Sequence, residues 1–90
     1  MNAVERVARG ARLLDDREPG WAARIDVADM DVSHPLSCVL GQLYGRDGAG
    51  RRALRLSEEG AGDHGFLLVG YHAGHPVTWD DLDGLWAAEV

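Results

Sequence analysis

The stretch SHPLSCVLGQLYG, residues 33–45, decides the fold class that the sequence predicts. Ser33 or His34 can cap a helix, and Pro35 suits its first turn. Apolar residues then follow at the spacing of one helix face: Leu36, Val39, Leu40 and Leu43. Gly45 ends the pattern, as glycine commonly does after a last helical turn. We therefore expect a core helix in this stretch.

The opposite face of that helix carries small and polar residues: His34, Cys38, Gly41 and Gln42. A glycine inside a helix costs roughly 1 kcal/mol relative to alanine, so Gly41 indicates that another backbone approaches closely there. We expect this face to be covered by a second helix of the same chain, or by a second copy in a homodimer through the Cys38/Gly41 face. A face open to water is the alternative.

Upstream, residues 3–16 are predicted to form a first helix. Asn2 and Glu5 have the spacing of a cap and a returning acid, and apolar residues then repeat at helical intervals. After a break, a short helix is expected to carry Trp21 into the core. Residues 26–32 alternate acidic and apolar side chains and are interpreted as a turn. The turn is expected to bury three apolar residues: Val27, Met30 and Val32.

Downstream, the glycine-rich stretch GRDGAGRR at residues 45–52 is predicted to be a flexible surface loop that leads into a short helix. Ser57 is expected to begin a weak acidic helix. Residues 66–78 contain the strand-like stretch of the chain and are the candidate for a small hairpin. Thr78 and Asp81 have the spacing of a capping box, which predicts a C-terminal helix.

These elements predict an all-α fold, or nearly so, with residues 1–90 as a single helical domain of four to five short helices. The hairpin near residues 66–78 is its one non-helical feature. A domain of this size buries only about 60 to 65% of the surface of its unfolded chain, so we expect modest stability. The predicted core comprises eight residues: Val7, Leu14, Trp21, Leu36, Leu40, Leu43, Leu82 and Trp86.

The net charge of −6 is distributed unevenly. Residues 46–55 carry a charge of +3, whereas residues 56–90 carry −7 and contain no lysine or arginine. An acidic half repels phosphate backbones, which disfavours nucleic-acid binding except around the basic cluster. That cluster consists of Arg46, Arg51, Arg52 and Arg55. The acidic residues are predicted to offer a negative surface to a basic protein partner: Asp80, Asp81, Asp83, Glu58, Glu59 and Asp63.

The sequence predicts no catalytic residue, no metal site and no cofactor. His34 and Cys38 supply two of the four ligands that zinc usually requires. One cysteine with one nearby histidine is a weak signal for a nucleophilic thiol. The glycine-rich stretch lacks the residue spacing of a nucleotide-binding P-loop. We therefore expect Cys38 to be a small core residue and the protein not to be an enzyme.

The first twenty residues bear on the cellular compartment. They place Glu5 and four arginines where a signal peptide or membrane span requires an unbroken apolar run. One cysteine also leaves no internal disulfide. We expect a cytoplasmic protein that has no contact with membranes.

Four runs of the sequence resemble a group of short uncharacterised proteins encoded by actinobacteria and their phages. The runs are VERVARGARLLDDREPGWAARID (residues 4–26), SCVLGQLYG (37–45), GF after the acidic helix (65–66) and LWAAEV (85–90). The resemblance extends over nearly the whole chain, and PGW and CVLGQLYG are its most specific parts. It implies a small, mainly helical protein of phage or mobile-element character, and it supplies no catalytic residues.

Together, these observations favour a non-enzymatic protein–protein interaction module, an accessory protein that binds and modulates a host or phage protein. A nucleic-acid-associated regulator that uses the Arg46–Arg55 cluster is the alternative. A small metal-dependent or thiol-dependent enzyme is the third hypothesis.

Overall fold

A computed structural model describes residues 2–68, 71–72 and 75–90, with the four strand residues described by their backbone. Two 3₁₀ turns, Trp21–Arg24 and Val27–Asp29, connect the first two helices. Strands β1 (Tyr71–His72) and β2 (His75–Pro76) precede the last helix. The helices of the described ranges are α1 (Ala3–Arg17), α2 (Val39–Tyr44), α3 (Asp47–Ala53), α4 (Glu58–Asp63) and α5 (Trp79–Glu89).

The predicted all-α fold is confirmed, and the predicted hairpin reduces to one short pairing. β1 and β2 are antiparallel, with Tyr71 opposite Pro76 and His72 opposite His75. Residues 66–68, which the hairpin prediction included, are not part of a strand. Residues 69–70 and 73–74 of the predicted hairpin lie outside the described residues.

The indole of Trp86 lies at the centre of the core and is fully buried. Trp21 meets it edge-on, with ring centroids 5.9 Å apart, and Phe66 stacks on it at 5.1 Å. Both arrangements are favourable for aromatic rings. The indole Nε1–H donates a 2.7 Å hydrogen bond to the carbonyl of Gly65. The only polar atom of this side chain is therefore paired inside the core, as burial requires.

α1 reaches this indole at Gly10. A Cβ at Gly10 would overlap the carbonyl oxygen of His64 and lie 2.8 Å from the ring of Trp86. Val7 and Leu14, on the same face of α1, are buried beside this contact. The close approach of α1 to α5 thus depends on the absence of a side chain at one position.

The predicted helix starts of α1, α4 and α5 are confirmed by their caps. The side chain of Asn2 accepts a 2.8 Å hydrogen bond from the Glu5 N–H, and Ser57 Oγ accepts one from the third residue of α4. Thr78 and Asp81 form a reciprocal capping box at 3.2 and 2.9 Å. Each cap satisfies backbone donors that a helix start leaves unpaired.

The prediction for α2 was wrong in its start. The helix begins at Val39, and residues 33–38 form successive turns instead of its first turns. The side chain of Asp31 accepts hydrogen bonds from the N–H and hydroxyl of Ser33, which hold this backbone in a turn. Leu36 consequently lies outside the helix and is 54% exposed, so its assignment to the core was wrong.

The other predicted core residues are buried: Val7, Leu14, Trp21, Leu40, Leu43, Leu82 and Trp86. The turn over residues 26–32 is only partly as predicted. Val32 is buried and Met30 packs against the core, but Val27 is 43% exposed. Val27 begins a 3₁₀ turn on the surface, so its side chain does not follow the alternation of its neighbours.

The glycine-rich stretch was predicted to be a loop, and most of it is helical. α3 packs on α2 at Gly50, where a Cβ would lie 2.7 Å from the Cβ of Leu40 and 2.9 Å from the ring of Tyr44. Arg51 and Asp47, one turn apart on α3, form an ion pair at 3.2 Å. Close helix packing therefore offsets the low helix propensity of glycine.

Two glycine substitutions test the contact between α1 and α5. Gly10→Ala is expected to lower the free energy of unfolding by about 2 kcal/mol or more, because the added methyl group overlaps backbone and indole. Gly84→Ala, also inside a helix, meets no atom within 4 Å and is expected to raise it by about 0.5 to 1 kcal/mol. Urea denaturation measures both. Equal stability of the two variants would contradict the packing described here.

Candidate functional site

Cys38 is the N-cap of α2 and not a member of its face. Its Sγ accepts a 3.2 Å hydrogen bond from the Gly41 N–H and lies 3.8 Å from the carbonyl oxygen of Pro35. The side chain is 3% exposed, and burial raises the pKa of the thiol. His34 Nδ1 accepts from the Leu36 N–H. Cys38 therefore lacks the exposure and the lowered pKa of a nucleophilic thiol.

The Gly41 face of α2 is covered within the chain, by a turn and not by a helix. A Cβ at Gly41 would overlap the carbonyl of Pro35, which lies directly on the helix. The Gln42 amide donates to the carbonyls of Ser37 and Asp26 and accepts from the Asp26 N–H. The prediction of a homodimer through the Cys38/Gly41 face was wrong, because these contacts already occupy that face.

The described part of the chain contains neither a metal-binding cluster nor a membrane-spanning helix. Residues 2–68, 71–72 and 75–90 contain no group of three or more histidine, cysteine, aspartate or glutamate residues that could hold a metal ion. None of the helices in these ranges is long and apolar enough to cross a bilayer.

Five of the six predicted acidic residues line two grooves. The first, called here the acidic groove, lies between α1 and α4 and has a volume of about 630 Å³. The second, the α5 groove, has a volume of about 490 Å³. The acidic groove is lined chiefly by Glu58, Glu59, Asp63, Arg6, Leu67 and Leu68. The α5 groove is lined by Ala3, Val77, Asp80, Asp81, Gly84 and Leu85.

Two of the six predicted carboxylates form hydrogen bonds that stabilise the fold. Asp81 completes the capping box of α5, and Asp83 accepts a 2.7 Å hydrogen bond from the Val32 N–H. Asp83 is half-buried and lines neither groove, so it does not belong to a free acidic surface. Glu58, Glu59 and Asp80 are exposed. These three are the carboxylates that a partner can reach most readily.

Three of the four predicted arginines line one groove at the end of α3, called here the basic groove. Its volume is about 470 Å³, and it is lined by Gly48, Arg51, Arg52, Arg55, Leu56 and Ser57. Arg46 is the N-cap residue of α3 and is not among the residues that line it. The structure thus brings together a smaller cluster than the sequence predicted.

Arg55 has an unusual backbone conformation that sequence reasoning missed. Its φ of 56° is in the left-handed region, where glycine is the favoured residue. The Leu56 N–H donates to the Arg51 carbonyl at 2.8 Å, and the Arg55 N–H donates to the Arg52 carbonyl at 3.2 Å. This pair of hydrogen bonds is the Schellman motif, with arginine in place of the usual glycine. The ordinary sequence signal for such a helix end is therefore missing.

Comparison of the chain with protein-family models, with curated proteins and with solved structures gives no match. What the protein binds must therefore be inferred from its own surfaces. Those surfaces are the acidic groove and the α5 groove, both beside α1, and the basic groove at the end of α3.

The thiol of Cys38 is expected to resist thiol reagents until the protein unfolds. Because burial raises its pKa in the folded state, its contribution to stability is fully present below about pH 9, the ordinary value for the unfolded chain. That contribution is lost as the pH rises through the folded pKa. Urea midpoints across the alkaline range should therefore decline more steeply for the wild type than for Cys38→Ser. Rapid labelling of the folded protein at neutral pH would contradict this.

The conformation of Arg55 predicts a stabilising substitution. Arg55→Gly is expected to raise the free energy of unfolding by about 1 kcal/mol, because glycine adopts the left-handed conformation without steric cost. Arg52→Gly, inside the last turn of α3, should instead lower it by about 1 kcal/mol. Thermal and urea denaturation measure both variants. A loss of stability in Arg55→Gly would contradict the helix end described here.

Proposed function

We propose that the protein is a non-enzymatic interaction module whose acidic groove binds a basic, partly apolar segment of a protein partner. The observation that carries the proposal is the combination, in one groove, of exposed carboxylates with partly exposed leucines. Together with the resemblance to actinobacterial and phage proteins, it favours an accessory protein that modulates a host or phage protein.

The placement of the acidic residues supports a role beyond helix stability. Glu58 and Glu59 are in the first turn of α4, where the helix dipole favours negative charge. Asp63 is the last residue of the same helix, where the dipole disfavours it. A carboxylate at that end contributes nothing to the helix but adds a third negative charge to the groove.

The apolar part of the acidic groove supplies the second element of a binding site. Leu67 and Leu68 follow the buried Phe66 and are only partly covered by the chain. Apolar contacts at the centre of an interface contribute affinity, whereas charges at its rim increase association rates and select partners. A segment with arginine or lysine beside an apolar side chain matches both elements of this groove.

The α5 groove extends the acidic surface across α1. Ala3 lines the α5 groove and Arg6 lines the acidic groove. Residues three apart on a helix are neighbours on its surface, so the two grooves adjoin along the start of α1. Asp80 therefore adds its charge to the same side of the molecule.

The alternative function, a nucleic-acid-associated regulator, depends on the basic groove. Arg52 and Arg55 are exposed there and have no ion pair with any residue that the structure describes. A long nucleic acid that followed this groove would also meet the acidic start of α4, and the chain carries −6 overall. The geometry therefore favours a protein partner.

A pull-down with matched variants tests the proposal. Tagged protein is incubated with lysate of an actinobacterial host, with and without nuclease, and retained proteins are identified by mass spectrometry. The groove variant carries Glu58→Gln, Glu59→Gln and Asp80→Asn, which leave both helix caps intact. The control variant loses three exposed carboxylates elsewhere: Asp16→Asn, Asp29→Asn and Glu89→Gln.

A stoichiometric protein that survives nuclease should bind the groove variant about tenfold more weakly, since each exposed ion pair contributes roughly 0.5 kcal/mol. The control variant should bind it with unchanged affinity. Equally weakened binding in both variants would show that net charge alone determines the affinity. It would contradict a binding site in the acidic groove. Retention only while nucleic acid is intact would favour the regulator instead.

A further inference from the structure

The basic groove has a feature that is unrelated to the proposed protein partner: the backbone conformation of Arg55. Arg55 occupies the left-handed position of a Schellman motif, where glycine would have a lower energy. Replacement of arginine by glycine there would remove one guanidinium from the groove that Arg51 and Arg52 also line. The chain thus keeps a strained backbone together with a third positive charge.

The positive charge of the groove is only partly neutralised. Asp47 lies 3.2 Å from Nε of Arg51, which leaves the two terminal nitrogens of that guanidinium for other partners. Arg52 and Arg55 form no ion pair within the described ranges. Three guanidinium groups therefore face one carboxylate.

Ser57 adds a neutral donor at the edge of this groove. Its Oγ already accepts the hydrogen bond from the Gly60 N–H at 3.0 Å, so its hydroxyl proton is available to another acceptor. The polar side chains that line the groove, Arg51, Arg52, Arg55 and Ser57, can all donate hydrogen bonds. A ligand that suits them must be an acceptor with negative charge.

We propose that the basic groove binds a compact phosphate dianion of the kind carried by small phosphate monoesters. Guanidinium groups match the oxygens of a phosphate with paired, charge-assisted hydrogen bonds. A compact anion reaches the arginines without passing along the acidic first turn of α4, which begins directly after Ser57. An extended polyanion does not avoid those carboxylates.

Inorganic phosphate is the probe, titrated at low ionic strength into isotope-labelled protein and followed by amide chemical shifts. Saturable shifts are expected in residues 48–57. Arg52→Gln combined with Arg55→Gln should weaken phosphate binding by about tenfold for each guanidinium removed. The control variant, Arg12→Gln with Arg17→Gln, removes the same charge from exposed positions on α1 and should retain the affinity.

Arg55→Gly provides a second test in which folding and binding change in opposite directions. Its melting temperature should rise while its affinity for phosphate falls about tenfold. Unchanged affinity in this variant would overturn the proposal, and so would non-saturable shifts in the wild type. A short single-stranded DNA that binds more tightly than phosphate, and that loses its affinity with Arg52 and Arg55, would overturn it in favour of a nucleic-acid site.

Discussion

The burial of one indole ring determines how the helices of this protein are arranged. Trp86 must find a partner for its N–H inside an apolar core, and the carbonyl of Gly65 supplies it at 2.7 Å. The same turn places the carbonyl of His64 against Gly10, so α1 can approach only where it has no side chain. The end of α4, the middle of α1 and the face of α5 are thereby fixed at a single point. The acidic groove and the α5 groove lie at the start of α1, which lines the first with Arg6 and the second with Ala3.

Helix caps with a regular spacing were predictable from the sequence, and features that depend on irregular turns or on contacts between elements were not. Asn2, Ser57 and Thr78 cap helices through hydrogen bonds to residues three positions away. A sequence segment of four residues therefore contains all that is needed to predict each cap. The start of α2 was missed because it depends on how the preceding turn folds. The Asp31 carboxylate holds Ser33 in that turn, and the Pro35 carbonyl lies against Gly41. The spacing of apolar residues contains neither contact.

The candidate sites divide in the same way. Composition identified the acidic and basic regions, but the role of Asp83 depends on a hydrogen bond to Val32, which is 51 positions away in the chain. The cluster of four arginines was evident from the sequence. Only the path of α3 shows that three of them line one groove and that Arg46 does not. Residue type therefore predicts whether a surface is positively or negatively charged. Only the fold shows which of its charged side chains can contact a ligand.

The position of Trp86 along the chain also bears on how the protein is made. It is the last of the buried core residues in sequence order, and it contacts rings supplied by Trp21 and Phe66. A ribosome releases these earlier segments first, when the surface that Trp86 will cover is still exposed to solvent. The preceding helices cannot complete their packing until α5 has left the exit tunnel. Packing of the segments made earlier is consequently expected to wait for the synthesis of α5, and until then their apolar faces are exposed to chaperones.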